Sequence, residues 1–189
     1  MSELQVLQFA SQKDWKDWLD KNRGQLDGVW LKYAKKDSGV TTINHSEAID
    51  TALCYGWIDS QAKSLDDRFY LVKFTPRRPK GVWSRINVER VERLIAEGKM
   101  KPSGLAQVEA AKADGRWDAA YEGQSTARVP EDFQKALNKN KKAAEFFESL
   151  SKSNKYAFIW RLHHVKRPEA RARNIEKYVE MLADGEKFH

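Results

Sequence analysis

The sequence predicts an α+β fold, in which a small, mainly antiparallel sheet with packed helices is followed by a C-terminal helical module. Residues 1–121 alternate helical patterns with short runs rich in β-branched and aromatic residues. Residues 129–189 place their apolar side chains at helical spacing throughout. The stretch 122–128 between them is small and polar, as is typical of a linker, so we expect two domains.

The composition is that of a globular protein with a basic surface. Hydrophobic residues make up 41% of the 189 residues, and 34 Lys and Arg residues stand against 27 Asp and Glu. This excess favours anionic partners, although a basic surface also serves solubility alone. One cysteine leaves no internal disulfide, and the chain shows neither an export signal nor a membrane span, so we expect a cytoplasmic protein without membrane insertion.

The first half of the chain alternates helices and strands. We expect helices over about 12–22, 45–55, 84–97 and 103–113, and strands over about 29–36, 57–63 and 68–74. Ser11 and Asp14 form a capping pair before the first helix, and Gly56 is placed to end the second helix in a left-handed conformation. In the third strand, Phe69, Leu71 and Lys73 are expected to face one way and the residues between them the other.

The second half is expected to contain four helices. Pro130 opens the first, the second runs over about 141–150, Ser153 caps the third, and Pro168 opens the fourth. Four tryptophans fall on apolar stripes and are expected in the core: Trp15, Trp18, Trp30 and Trp160.

A basic loop is expected after the third strand. Pro76 and Pro79 lack an amide donor, so residues 75–82 should leave the sheet and form an exposed loop. This loop carries three cations: Arg77, Arg78 and Lys80. It leads directly into a helix, and cations beside free helix amides bind phosphate or carboxylate. A solvated basic loop without a ligand is the alternative.

Polar and aromatic residues on either side complete this candidate site. Ser84 or Asn87 would cap the helix and face the anion, while Trp83 and Trp57 would stack on a ligand or pack in the core. No segment has the glycine spacing of a Walker loop.

Asp59 is a second candidate, because it follows the second helix in the aromatic setting of Tyr55 and Trp57. Partial burial there would suit its carboxyl to proton transfer. Lys63 lies further along the strand and is expected to share a face with Asp59, so an ordinary ion pair is the alternative. Cys54 is expected to be a buried small hydrophobe rather than a nucleophile.

The C-terminal module is strongly basic over residues 161–173. This region is a candidate surface for nucleic acid or an acidic protein, and a solvated helix junction is the alternative. His163 and His164 are adjacent, so on a helix their side chains diverge and do not chelate one metal ion. We therefore expect no metal site and no cofactor.

Several segments resemble the YdeI/OmpD-associated family, whose members are often labelled bacteriocin-protection proteins. In the first half they are Ala52–Ser60, Phe74–Arg78, Trp83, Ser84, Asn87 and Gly98–Gly104. In the second half they are Val129, Pro130, Phe133, Leu137, Phe147, Leu150, Ser153, Tyr156, Trp160, Arg171, Arg173 and Ile175. The resemblance implies a bacterial protein with a role in stress or bacteriocin resistance, and it implies no reaction.

The sequence thus predicts a non-enzymatic binding protein for an anionic ligand, either phosphorylated or nucleic acid. The predicted ligand-binding residues are Trp57, Asp59, Lys63, Arg77, Arg78, Lys80, Trp83, Ser84 and Asn87. One alternative is an enzyme with Asp59 as acid or base and Arg77 as the clamp for a small anionic substrate. Another is a protein-interaction module that acts through the basic C-terminal helices.

Overall fold

The computed structural model describes residues 4–24, 27–124, 126–165 and 167–188, which form eight helices and a four-stranded sheet. They group into two compact units. The first unit contains the described residues up to Trp83 and Asn87–Ala119, and the second contains Ser84–Ile86 and the described residues from Ala120 onward. The predicted α+β fold with a helical C-terminal region is confirmed, whereas the linker at 122–128, which includes one position outside the described residues, stays a prediction.

The sheet lies entirely in the first unit. Its strands are β1 (Val6–Leu7), β2 (Val29–Ala34), β3 (Trp57–Ser64) and β4 (Phe69–Pro76). They lie in the order β1-β2-β4-β3, with β1 parallel to β2 and the other two pairings antiparallel. The short strand β1 was not predicted, because two residues are too few to show a period of two.

The alternation of β2 and β4 gives the sheet two different faces. We call the inner face the one that carries the buried residues Val29, Leu31, Tyr33, Val72 and Phe74. The outer face carries Trp30, Lys32, Phe69, Leu71 and Lys73. The alternation predicted for the third strand is therefore confirmed, but Trp30 lies on the outer face and is only half-buried.

Strand β4 extends through Pro76, so the prediction that residues 75 and 76 leave the sheet is wrong. Pro76 pairs with Trp57 of β3, whereas β2 begins at Val29, opposite Phe74, and does not reach Pro76. The strand is thus paired on one side only at Pro76, where a missing amide donor is tolerated.

Two helices pack on the inner face, α1 (Gln12–Asn22) and α2 (His45–Cys54). The Trp15 ring lies 5.7 Å from that of Phe74, and its indole N–H donates to the Ala48 carbonyl at 3.1 Å. The predicted capping pair at Ser11 is confirmed as a reciprocal capping box. Gly56 ends α2 with φ +77°, also as predicted.

The remaining helices of the first half are α3 (Arg85–Ala96) and α4 (Pro102–Ala113). Ion pairs from Arg90 and Arg93 to Asp50 connect α3 to α2. Helix α4 approaches α2 so closely that a Cβ on Gly104 would lie 2.3 Å from the Cys54 carbonyl oxygen. Only glycine fits at this crossing.

The second unit contains α5 (Glu131–Asn138), α6 (Lys141–Ser149), α7 (Lys152–His163) and α8 (Pro168–Ala183). Its core is rich in aromatic side chains: Phe133, Leu137, Phe147, Phe158, Leu162, Tyr178 and Leu182. Trp160 was expected in this core and is instead 40% exposed. The buried stripe of α7 runs through Phe158 and Leu162, and Trp160 lies about 200° around the helix from Phe158.

Candidate functional site

The predicted basic loop is built around a buried arginine. Arg77 is 7% exposed, so the prediction that this side chain is exposed is wrong. Its guanidinium lies 3.7 Å from the centroid of the Trp83 ring and donates to the Val82 carbonyl at 2.8 Å. The backbone N–H of Arg77 donates to the Gly56 carbonyl at 2.9 Å. The side chain therefore holds the loop against the core.

The other predicted residues around this loop divide by burial. Arg78 and Lys80 are exposed, and Asn87 is half-buried. Three others are buried, namely Trp57, Trp83 and Ser84. Trp83 packs against the Trp117 ring at 4.9 Å, and Trp57 lies edge-on to Trp15 and Trp18. Both indoles thus serve packing, and a ligand site at this loop stays a prediction.

Asp59 and Lys63 lie on opposite faces of the sheet, so the prediction that they share a face is wrong. Asp59 pairs with Phe74 of β4, whereas Lys63 pairs with Leu71, and these two β4 residues face opposite ways. The cause is a β-bulge between Asp59 and Ala62, where two residues oppose one. A bulge of this kind reverses the alternation of every later residue in the strand.

The inner face gives Asp59 a different neighbour, His45 at the start of α2. Their Nε2 and Oδ2 atoms lie 3.4 Å apart, without the alignment of a hydrogen bond. The Tyr33 ring lies 5.6 Å from the imidazole, and its buried hydroxyl makes no hydrogen bond within the described part of the chain. Burial raises the pKa of Tyr33, with smaller contributions from Tyr70 and Asp59. Sequence reasoning missed this cluster because its members come from three separate elements.

A cavity of about 480 Å³ in the first unit is lined by four lysines. We call it the lysine-rimmed cavity. It lies on the helical side of the sheet, between α1, α2 and the segment that joins α3 to α4. Its lining residues are Gln12, Lys13, Lys16, Asp50, Thr51, Cys54, Tyr55, Leu94, Gly98, Lys99 and Lys101. Two lysines come from α1 and two from residues 99–101, so the cations belong to two separate segments.

The wall of this cavity is partly apolar, and its one thiol is unreactive. Leu94, Tyr55 and Cys54 are buried side chains. Burial raises the pKa of the Cys54 thiol to about 11, and the carboxylate of Asp50 adds to this increase. The thiol therefore stays protonated at neutral pH, and the predicted burial of Cys54 is confirmed.

One carboxylate, that of Asp50, lies in the wall of the lysine-rimmed cavity. Its two oxygens accept from Arg90 at 2.6 Å and from Arg93 at 2.5 Å. Lys13 and Lys99 pair with Asp17 and Glu97 at the helix surface, whereas Lys16 and Lys101 have no carboxylate partner among the described residues. The cavity is thus positive overall, because two arginines compensate its carboxylate.

The basic C-terminal region is largely engaged within its own unit. Arg171 binds the carboxylate of Asp132, and Arg161 lies 3.8 Å from the Phe188 ring. The His164 ring lies 4.2 Å from that of Trp160, beside a cavity of about 420 Å³ lined in part by Tyr121 and Tyr156. Lys166 lies outside the described residues. A partner surface here stays a prediction.

Within the described ranges, no group of three or more His, Cys, Asp or Glu side chains is arranged to hold a metal ion. None of the helices in those ranges is both long enough and apolar enough to cross a membrane.

The two units define an α+β protein with a helical C-terminal domain, and known families match each part. Residues 126–185 match the family described as "Bacteriocin-protection, YdeI or OmpD-Associated", which confirms the resemblance noted in the sequence. Residues 7–107 match a family described as a domain of unknown function, DUF8412. Because this match covers more than half of the chain, the protein belongs to that family. No curated protein and no solved structure matches the chain.

Proposed function

We propose that this protein is a non-enzymatic, cytoplasmic binding protein for a small phosphorylated ligand, held in the lysine-rimmed cavity. The observation that carries the proposal is the placement of lysines from two separate segments around one partly apolar cavity. Phosphate oxygens would contact the lysine ammonium groups, and the body of the ligand would contact Tyr55 and Leu94. The description of the C-terminal family supports a protective role against bacteriocins for such binding.

The combination of cations with a partly apolar wall favours this cavity over the loop at residues 77–80, where the tryptophans Trp57 and Trp83 are buried in the core. A phosphate charge about 4 Å from an ammonium group gains roughly 4 kcal/mol at an effective dielectric constant of about 20. Lys16 and Lys101 can make this contact without giving up an ion pair. Arg77 would first have to leave the Trp83 ring and the Val82 carbonyl.

A thermal-shift experiment with matched double variants tests this proposal. Inorganic pyrophosphate and the four common nucleoside monophosphates serve as probes. At a concentration of about 100 times Kd, a bound probe stabilises the protein by about 2.7 kcal/mol, a shift of roughly 5–10 °C in Tm. We expect Lys16→Ala with Lys101→Ala to abolish the shift, and Arg78→Ala with Lys80→Ala to retain it.

Both double variants remove two positive charges, so a difference between them locates the site rather than reporting net charge. The proposal fails if no probe shifts the wild-type Tm. It also fails if the loop variant, and not the cavity variant, loses the response.

The cluster of His45, Asp59 and Tyr33 favours a second candidate function, an enzyme that acts on a small anionic substrate. An imidazole beside a carboxylate can transfer protons, and the side chains of His45 and Asp59 are 40% and 28% exposed. In this case a phosphorylated substrate would be consumed, and ³¹P NMR would detect new products. Asp59→Asn and His45→Gln should both abolish turnover, and intact nucleotides after prolonged incubation would rule out this activity for those substrates.

A further inference from the structure

The outer face of the sheet is apolar, aromatic and positively charged. It carries two aromatic rings, Trp30 on β2 and Phe69 on β4, and Leu71 of β4 lies between these two rings. The helices α1 and α2 pack on the inner face. On the neighbouring strand β1, Val6 pairs with Trp30 and is 51% exposed.

Three lysines project from this outer face. Lys32 of β2 and Lys63 of β3 both pair with Leu71, so they flank β4 with backbones about 10 Å apart, or two strand spacings. Lys73 follows two residues further along β4, opposite Trp30. Among the described residues, no carboxylate lies within ion-pair distance of these three lysines. The bulge between Asp59 and Ala62 places Lys63 on the outer face.

Two of the lysines cover the aromatic rings. The Lys32 ammonium lies 3.8 Å from the centroid of the Phe69 ring, and that of Lys63 lies 4.4 Å from the Trp30 ring. A cation–π contact near the protein surface is weaker than the stacking of a base on an aromatic side chain. A ligand that offers a flat ring and an anion would therefore displace the ammonium from the ring and then pair with it.

We propose that the outer face binds single-stranded nucleic acid, with bases on Trp30 and Phe69 and phosphates on Lys32, Lys63 and Lys73. Flat rings interspersed with cations match a flexible strand, in which bases and phosphates alternate. The carboxylates of an acidic protein would pair with the lysines but would leave the Trp30 and Phe69 rings without a stacking partner. A second copy of this chain would bring its own three lysines against them, so charge opposes that occupant.

Fluorescence anisotropy with a labelled oligothymidylate of about twelve nucleotides tests the proposal. Three neutralised phosphates predict a slope of log K against log salt of about −2. We expect Lys32→Glu with Lys63→Glu to weaken binding at least tenfold and to flatten this slope. The matched control, Lys142→Glu with Lys152→Glu, makes the same charge change on the second unit and should bind like the wild type.

Phe69→Leu separates stacking from charge. We expect it to weaken binding about fivefold or more while the salt slope stays that of the wild type. If the double lysine variant unfolds, the single variant Lys63→Glu replaces it, because Lys63 is exposed and its substitution should leave the fold intact. Absence of binding, equal losses in the lysine variant and its control, or displacement of the oligonucleotide by polyglutamate as readily as by unlabelled oligothymidylate would each overturn the proposal. None of these outcomes bears on the lysine-rimmed cavity, which lies on the other side of the sheet.

Discussion

The single residue Gly104 determines how closely two helices pack. It lies in the first turns of α4, where alanine would favour the helix by up to about 1 kcal/mol. An added methyl group would, however, meet the Cys54 carbonyl oxygen at 2.3 Å and its carbon at 2.8 Å. These are backbone atoms, so the clash is relieved only if α4 moves away from α2.

We therefore expect Gly104→Ala to destabilise the protein by up to about 2 kcal/mol, because an overpacking cost of about 1–3 kcal/mol exceeds the gain in helix propensity of up to about 1 kcal/mol. Urea unfolding measures the difference. Gly24→Ala is the control, since a methyl group there meets nothing within 4 Å. A Gly104→Ala variant as stable as the wild type would show that this crossing is not close-packed.

A pair of side chains connects the helices α5 and α8 of the second unit. The Arg171 guanidinium on α8 donates to both oxygens of Asp132 on α5, at 2.6 and 3.0 Å, and also to the Leu162 carbonyl of α7. This hydrogen-bonded arginine holds the pKa of Asp132 below its usual value. The carboxylate side chain is 46% exposed, so solvent screening limits the contribution to about 1 kcal/mol.

A carboxyl group whose folded pKa is lowered stabilises the protein above its unfolded pKa of about 4 and loses this contribution as pH falls through the folded pKa. We expect Asp132→Asn to unfold at lower urea concentration at pH 7 and pH 5, and the difference from the wild type to shrink at pH 3. Glu131→Gln, one residue away and 91% exposed, is the control. If the stability difference between Asp132→Asn and the wild type instead grows toward low pH, the ionised Asp132 carboxylate is not the stabilising form.

Elements with local signals were predictable from the sequence. The capping box at Ser11, the glycine after α2 and the alternation of β4 each depend on residues within a few positions of one another. The bulge in β3 was not predictable, because it is defined by the register of the partner strand. The one-sided pairing of Pro76 depends in the same way on where β2 begins.

Positive charge accumulates where segments that are distant in the sequence come together in the fold. The net charge and the run of cations at residues 77–80 predict anion binding. The sequence does not reveal that the Arg77 guanidinium packs on the Trp83 ring. The lysine-rimmed cavity draws on residues 12–16, 50–55 and 98–101, and no local pattern connects these segments. Burial and contact between distant segments therefore decide which of the many cations can meet a ligand.

A ¹⁵N–¹H NMR titration with inorganic pyrophosphate would locate the anion site residue by residue. We expect saturable shifts in the amide signals of Lys16, Cys54 and Lys101, while those of Arg78 and Lys80 stay in place. Shifts confined to Arg78 and Lys80, or no saturable shift at all, would contradict a binding site in the lysine-rimmed cavity.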